Sequence, residues 1–303
     1  MYDTIIIGSG PAGLSAAIYG KRAKLNMIVI EQNYISGGQI NDTYEVDNYP
    51  GIPGITGMEL GTKLREHAEK LGAEFVRAKV LSIQKEEGAW CIQCKKKTYH
   101  AKTVILATGA HHRKLGVPGE EELTGMGVSY CATCDGAFYK DTEVAIVGGG
   151  DVAVEDAIFL ARGCKKVYVI HRRDELRAAK ILQEKLFSLP NVEMIWDTVV
   201  ERIVGEDQVE GIEVYNKKED TRQVLKVEGL FVAVGTAPNA QLAEGLVDLD
   251  QGGYIAADES CVTSAPGMFA AGDVRTKQLR QIVTAASDGA NAITSVEKYL
   301  IHC

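Results

Sequence analysis

Two cysteines separated by two residues, Cys131 and Cys134, form the stretch of this sequence best suited to chemistry. Two intervening residues let a turn at the start of a helix bring both sulfurs within disulfide range, and a helix N-terminus stabilises a thiolate. Asp135 follows at once and is placed to move a proton when a thiolate leaves or attacks the disulfide. Since residues 130–136 lie between two dinucleotide-binding patterns, this dithiol can accept electrons from bound cofactors.

Other interpretations of these cysteines are two buried thiols or half of a zinc site. A zinc site needs about four ligands, and no second well-placed Cys or His pair completes one, so no metal site is predicted. A second pair with the same spacing, Cys91 and Cys94, lies in a strand-like run. Residues three apart in a strand point to opposite faces and lie roughly 10 Å apart, beyond disulfide reach. We therefore predict a structural role for this second pair.

The first dinucleotide pattern opens the chain. A β-branched run at residues 4–7 leads into a glycine-rich turn and then into a helix-forming segment at residues 14–21. Glycines let the backbone approach a pyrophosphate, whose charge the helix N-terminus stabilises. A second strand ends at Glu31, 18 residues after the turn, where a carboxylate can bind ribose hydroxyls as in FAD. The residues of the predicted turn are Gly8, Ser9, Gly10, Pro11, Ala12 and Gly13.

The second pattern repeats the first with one informative change. A strand at residues 144–147 leads into Gly148, Gly149, Gly150 and Asp151 and then into a helix. At the offset where the first unit has its acid, the second has a histidine within a basic cluster, whose donors suit a 2′-phosphate and favour NADPH over NADH. The alternative interpretation of these basic residues is an ordinary helix face exposed to solvent. The cluster consists of His171, Arg172, Arg173 and Arg177.

Two βαβ units in one chain predict an α/β fold with two Rossmann-like dinucleotide-binding domains. Short strands with turns at Gly205, 216–217 and Gly229 are predicted to complete the second domain. The last 60 or so residues, with one obvious helix at 279–300, are too few for a separate domain and are predicted to complete the first. The second domain, residues 114–238, is thus inserted into the first, residues 1–113 plus 239–303.

Composition excludes several classes of partner. The 303 residues carry a formal net charge of -8 without a basic run, which disfavours nucleic acid and anionic membrane surfaces as partners.

The first eight residues enter a strand pattern without the basic n-region of a signal peptide, and no apolar run has the ~18 residues that span a bilayer. Seven unevenly spaced cysteines do not form a secreted disulfide framework. A cytoplasmic location is expected.

The sequence closely resembles the low-molecular-weight thioredoxin reductases over essentially its whole length. Six motifs carry this resemblance: residues 8–13, 37–39, 131–135, 148–151, 171–174 with Arg177, and 270–273 with 280–281. The resemblance implies a homodimeric FAD enzyme that passes electrons from NADPH through flavin and the dithiol to thioredoxin. It also implies that Cys134 exchanges electrons with flavin, that Cys131 attacks the thioredoxin disulfide, and that Asp135 donates or accepts the proton.

Further cofactor contacts are implied by the same resemblance. Asp273 and Gln281 are expected to contact the flavin, while Val152, where the family often has Ser or Thr, removes one hydrogen bond to the nicotinamide cofactor. Exposed amides in loops and a small-residue turn after a strand also suit a cofactor site. The full predicted FAD set outside the glycine turn is Glu31, Gln32, Gly38, Gln39, Asn48, Gly109, Gly272, Asp273, Arg280, Gln281 and Ile282.

Alternative functions stay open at this point. One is a reductase of the same fold that serves a glutaredoxin-like carrier or takes electrons from ferredoxin, although the basic cluster argues against ferredoxin. Another is a flavoprotein without catalytic activity that acts as a redox sensor. For the enzyme, the dithiol and the nicotinamide site share one domain and compete for the flavin, so we hypothesise a rigid-body rotation with hinges near residues 114–116 and 235–238.

Overall fold

The computed structural model describes residues 1–43 and 45–302, and the chain divides into two compact units. One unit comprises Met1–His111 and Ala237–Cys303, and the other is the continuous segment His112–Thr236. Each observed junction lies two residues before the predicted one, since the predicted segments met at residues 113/114 and 238/239. The second unit interrupts the sequence of the first.

The first unit contains a seven-stranded mixed sheet. Its strands are β1 (Tyr2–Ile7), β2 (Met27–Glu31), β3 (Glu74–Arg77), β4 (Val80–Glu86), β5 (Ala89–Cys94), β6 (Thr98–Leu106) and β17 (Met268–Ala270). Strands β3, β2, β1, β6 and β17 pair in parallel, and β5 and β4 extend the sheet from β6 as an antiparallel meander. Its helices are α1 (Pro11–Arg22), α2 (Gly57–Lys70) and α6 (Ile282–Ile301), with short 3-10 helices at Gly38–Asp42 and Gln241–Ala243.

Strand β1 shows why the parallel part of this sheet is continuously apolar. Ile5 and Ile7 pack into the hydrophobic core on one face of the sheet, and Ile6 packs into a separate core on the other face with residues of α1 and α6. A parallel strand covered on both faces needs apolar side chains at every position. The opening run of isoleucines therefore reflects burial on both faces.

The second unit is built on a five-stranded parallel sheet. Its strands, in spatial order, are β11 (Val192–Ile195), β10 (Lys166–Ile170), β9 (Glu143–Val147), β15 (Gly229–Val232) and β8 (Val128–Ser129). A three-stranded antiparallel sheet contains β12 (Thr198–Val204), β13 (Gly211–Asn216) and β14 (Thr221–Leu225). The helices are α3 (Ala132–Asp135), α4 (Asp151–Leu160) and α5 (Lys180–Phe187), with a 3-10 helix at Gly136–Tyr139. Short strands β7 (Ala110–His112) and β16 (Thr236–Pro238) lie where the chain crosses between the units.

The two units repeat one arrangement at their glycine turns. Ile7, the last residue of β1, pairs with Ile30 of β2, and Val147, the last residue of β9, pairs with Ile170 of β10. Glu31 and His171 directly follow the paired residues of β2 and β10, so they occupy corresponding positions in the two sheets.

Some local predictions differ from the structure. Gly229 was predicted as a turn but begins the buried strand β15, where a Cβ would lie 2.5 Å from the Tyr139 ring, so close packing requires this glycine. Strands β8 and β17 and helix α5 were not predicted. Within residues 1–43 and 45–302, no helix combines the length and apolar character needed to cross a membrane.

Candidate redox and cofactor sites

Cys131 and Cys134 form a disulfide at the start of α3, with their Cα atoms 5.3 Å apart. Cys131 is the N-cap residue of the helix, and its carbonyl accepts hydrogen bonds from the Cys134 and Asp135 amides at 3.2 and 3.1 Å. Both cysteines are half-buried. The helix-starting turn predicted for this pair is thus the geometry that brings the sulfurs together.

Asp135 is held beside the disulfide by Ser129 at the end of β8. The Ser129 hydroxyl donates to Asp135 Oδ2 at 2.5 Å, and Ser129 Oγ also accepts from the Cys131 amide at 3.1 Å. Burial raises the pKa of Asp135 above its ordinary value, and the Ser129 hydrogen bond opposes only part of that rise. A carboxyl group that retains its proton closer to neutral pH suits proton transfer to a thiolate.

Tyr130 connects the dithiol segment to a buried carboxylate that the sequence did not reveal. Glu120 is 1% exposed, and its carboxylate accepts from the Tyr130 hydroxyl at 3.0 Å and from the Leu115 and Gly116 amides at 2.9 and 2.7 Å. The Tyr130 ring stacks on His112 at 5.1 Å between centroids. Burial and the hydrogen bond to Glu120 raise the pKa of Tyr130 to about 12, so its hydroxyl stays a donor. Glu120 thereby ties Leu115 and Gly116, part of one predicted hinge, to the rest of the second unit.

The first glycine turn has the geometry of a pyrophosphate cradle. Gly8 adopts φ +104°, and a Cβ there would lie 2.3 Å from the Ala107 carbonyl oxygen, so only glycine permits this approach of β1 to β6. Gly10 is the N-cap of α1 and Pro11 its first residue, and the first turn contains no acidic residue. The free amides of this helix start can therefore bind an anion.

Glu31 reaches back from β2 to the glycine turn. Its Oε2 accepts from the amide and the hydroxyl of Ser9, both at 2.8 Å, and its Oε1 accepts from the Asn33 amide at 2.8 Å. Because a carboxylate offers about four acceptor positions, one remains for a ribose hydroxyl. Ser9 is fully buried, so its side chain acts on a bound cofactor by orienting Glu31.

Gly272 and Asp273, after β17, provide the clearest sign that this unit binds a polar group. Asp273 Oδ1 and Arg280 Nε are buried and have no hydrogen-bond partner among the described residues. Burial raises the pKa of Asp273. Since buried polar atoms are normally paired, these two suit the hydroxyl and carbonyl groups of a flavin and its ribityl chain. The residues present therefore fit FAD.

A buried ion-pair cluster positions this segment. Asp288 of α6 accepts from the Gly272 amide at 2.8 Å, from two nitrogens of Arg275 at 2.6 and 2.9 Å, and from Lys277 Nζ at 2.9 Å. Asp288 is 1% exposed and Arg275 2%. Burial alone would raise the pKa of Asp288, but the hydrogen bonds from Arg275 and Lys277 lower it below 3.8. The carboxylate thus stays charged and fixes Gly272 next to Asp273.

We expect Asp288→Asn to destabilise the protein by about 3–5 kcal/mol, because two buried cations lose their counter-charge. It should also lower FAD affinity, since the Gly272 segment loses its anchor. Denaturant unfolding and the flavin content of the purified protein measure these effects. As the pKa of Asp288 is lowered, the stability difference from wild type should be full above pH 3.8 and shrink below it.

The matched control is Glu259→Gln, which removes another carboxylate from the same arginine. Glu259 lies 3.3 Å from Arg275 but is 84% exposed, so its loss should cost no more than about 1 kcal/mol. Equal, small losses in both variants would contradict the positioning role of Asp288.

Other predicted FAD contacts lie in the same unit. Gln39 Nε2 donates to the Ala110 carbonyl, and Asn48 Nδ2 donates to Gln281 Oε1 at 3.0 Å. Gln281 is the N-cap of α6 and forms a capping box with Thr284, which explains why the helix begins three residues later than predicted. The remaining residues are the exposed Gln32 and Gly38, Gly109 after β6, and the half-buried Ile282.

The second glycine turn is closed by His171. A Cβ on Gly149 would lie 2.2 Å from the imidazole ring, so the histidine packs directly beneath the turn. His171 is buried, burial lowers its pKa, and its Nε2 has no hydrogen-bond partner within the described part of the chain. The prediction grouped it with the arginines as a donor to phosphate. Its burial and lowered pKa instead favour a neutral ring that supports the turn.

The three arginines of the basic cluster, Arg172, Arg173 and Arg177, are exposed. Two hydrogen bonds hold their segment against the glycine turn: the Arg177 amide donates to the Gly149 carbonyl at 2.7 Å, and the Ala179 amide donates to Asp151 Oδ1 at 2.7 Å. Asp151, predicted as a cofactor contact, therefore also positions the cluster. Three guanidinium groups beside a helix start fit the phosphates of NADPH.

Val152, the departure from the family pattern, is 63% exposed at the second residue of α4. An apolar side chain at this position offers no hydrogen bond.

Ser129, Glu120 and Asp288 are the functional candidates that sequence reasoning missed. Each acts through a partner 6 to 16 residues away in sequence, so neither periodicity nor a short motif signals it.

Comparisons with known proteins agree over nearly the full length. Residues 2–289 match the family described as pyridine nucleotide-disulphide oxidoreductase. A thioredoxin reductase of Peptoclostridium acidaminophilum is 48% identical over 99% of this chain and 97% of its own, and one of Bacillus subtilis is 44% identical over 99% and 95%. The crystal structure of thioredoxin reductase from Streptococcus pyogenes, 48% identical, covers 100% of this chain and 99% of its own with a TM-score of 0.95.

Proposed function

Because the chain belongs to the pyridine nucleotide-disulphide oxidoreductase family, and within it to the thioredoxin reductases, we propose that it reduces thioredoxin with electrons from NADPH. The observation that carries this proposal is the Cys131–Cys134 disulfide, with Asp135 beside it, in the unit that also contains the second glycine turn. FAD is assigned to the first unit and NADPH to the second. We further propose a homodimer in the cytoplasm.

The dithiol performs the exchange with thioredoxin. When bound, NADPH and FAD supply the two electrons that break the Cys131–Cys134 bond. The Cys131 thiolate then attacks one sulfur of the thioredoxin disulfide, which forms a mixed disulfide and releases the other thioredoxin sulfur as a thiolate. The Cys134 thiolate attacks the Cys131 sulfur, so the enzyme disulfide reforms and thioredoxin leaves with both sulfurs reduced.

Asp135 supplies the proton that the leaving thiolate requires. Its raised pKa keeps more of the carboxyl protonated at the pH of the reaction, and the Ser129 hydroxyl orients it. The activity that depends on this proton should therefore fall as the pH rises through the pKa of Asp135.

Asp135→Asn should lower thioredoxin turnover roughly 10²- to 10⁴-fold, the usual contribution of a general acid. The pH profile separates this role from a structural one. Ser129→Ala removes the hydrogen bond that lowers the Asp135 pKa, so the alkaline limb of the profile should move to higher pH. An unchanged alkaline limb in both variants would refute the assignment.

Acceptor choice tests the function as a whole. The expected result is steady-state NADPH oxidation that requires oxidised thioredoxin. Activity with a glutaredoxin-like carrier but not with thioredoxin would favour the alternative reductase. Bound flavin without NADPH oxidation in the presence of any disulfide would favour a non-catalytic flavoprotein.

The rotation hypothesis follows from how the functional residues are divided between the two units. The dithiol and the basic cluster both belong to His112–Thr236, whereas the residues proposed to bind flavin belong to the other unit. Both must reach the flavin, so the second unit is proposed to turn about residues 114–116 and 235–238. A cross-link that fixes the dithiol at the flavin should block flavin reduction by NADPH while sparing exchange between flavin and dithiol; normal reduction would rule the rotation out.

A further inference from the structure

The outward face of the β4–β5–β6 meander brings together three side chains that commonly bind metals. Glu86, Cys91 and His100 lie on three successive strands, and their ligand atoms are all within 4.8 Å of one another. Cys91 pairs directly with His100 across β5 and β6. The Glu86 carboxylate lies 3.2 Å from His100 Nδ1. Residues 5 to 14 positions apart in sequence thus become neighbours through strand pairing.

Strand alternation fixes these side chains on the outward face. The neighbouring residues Trp90, Ile92 and Tyr99 point to the opposite face and belong to the hydrophobic core of the unit. Cys94, on the same strand as Cys91, is also in that core. A cluster supported by paired strands and a packed core holds its geometry better than one on loops.

We propose that Glu86, Cys91 and His100 form a binding site for a thiophilic divalent cation of the zinc class. Thiolate sulfur, imidazole nitrogen and carboxylate oxygen are the three ligand types that zinc binds in proteins. Three protein ligands leave the fourth tetrahedral position to water. The three ligand atoms lie within 4.8 Å of one another, so small side-chain rotations bring all of them onto one ion. The cation replaces the Cys91 thiol proton, which passes to solvent.

The charges around Glu86, Cys91 and His100 favour a divalent cation. One thiolate and one carboxylate neutralise a divalent cation, and His100 binds as the neutral imidazole. Lys102, two residues from His100 on the same strand, is paired with Asp3 at 3.0 Å.

The test uses the oxidised holoenzyme, in which the Cys131–Cys134 disulfide keeps the other dithiol from binding metal. Titration with Co²⁺ should give ligand-field bands on the long-wavelength side of the flavin absorption, and calorimetry with Zn²⁺ should give one equivalent per chain. About one proton should be released per cation. Loss of an outer-shell partner weakens metal sites by roughly 10–100-fold, so Cys91→Ser and His100→Ala, which remove ligands, should weaken binding at least as much.

Cys94→Ala is the matched control, because it removes a thiol from the same strand but from the core face. It should bind Zn²⁺ as wild type does. Zn²⁺ should also raise the unfolding midpoint of wild type and of Cys94→Ala but not of Cys91→Ser. Absence of stoichiometric binding, or equal binding by the Cys91→Ser variant, would overturn the proposal; neither result bears on thioredoxin reduction.

Discussion

Replacing either Cys131 or Cys134 by serine should abolish thioredoxin reduction. Each sulfur is needed, because one attacks thioredoxin and the other resolves the mixed disulfide. Removal of a group that acts as part of a catalytic unit commonly costs roughly 10⁴- to 10⁶-fold in turnover. The measurement is steady-state NADPH oxidation with thioredoxin as acceptor.

The same variants should still bind FAD and still show flavin bleaching by NADPH, because the first electron transfer does not use the dithiol. Cys91→Ser and Cys94→Ser provide the matched control, since this pair has the same spacing but lies on strand β5 with both thiols free of disulfides. They should retain nearly full activity. Loss of turnover in these variants, with normal folding and flavin content, would contradict the distinction between the two pairs.

The double replacement Arg172→Ala with Arg173→Ala should raise the Michaelis constant for NADPH much more than that for NADH. Hydrogen bonds to charged groups contribute about 1.5–3 kcal/mol each. Both arginines are exposed, so the lower value applies and a joint effect of roughly 100-fold is expected. The physical reason is that only NADPH carries the 2′-phosphate that these guanidinium groups bind.

Arg222→Ala is a suitable control, because Arg222 is an exposed arginine of the same unit that pairs with Glu201 on the antiparallel sheet. It should leave both Michaelis constants unchanged. An equal effect of the double replacement on NADPH and NADH would remove the assignment of the basic cluster.

The two glycine turns could be predicted because their chemistry is local. A buried strand, a turn that needs glycine and a helix start follow one another within a few residues. The equal spacing from each turn to Glu31 and to His171 corresponds to equivalent positions in the paired strands. Local spacing does not reveal which way a side chain points. His171 was therefore predicted as a donor to the 2′-phosphate, whereas the structure buries its ring beneath Gly149.

Residues that act through partners were harder to predict. Ser9 and Asp151 appeared as cofactor contacts, and the structure shows their side chains hydrogen-bonded to Glu31 and to the Ala179 amide. The anchoring of Gly272 by Asp288 depends on how α6 packs against the end of β17. Such contacts are determined by tertiary packing, which no pattern within a single segment records.

Anaerobic flavin spectroscopy of the holoenzyme tests the central claim most directly. NADPH should bleach the flavin band, NADH at the same concentration should do so much more weakly, and oxidised thioredoxin should then restore the band through the Cys131–Cys134 dithiol. Equal bleaching by the two nucleotides, or a bleached band that thioredoxin fails to restore, would contradict the assignment of an NADPH-dependent thioredoxin reductase.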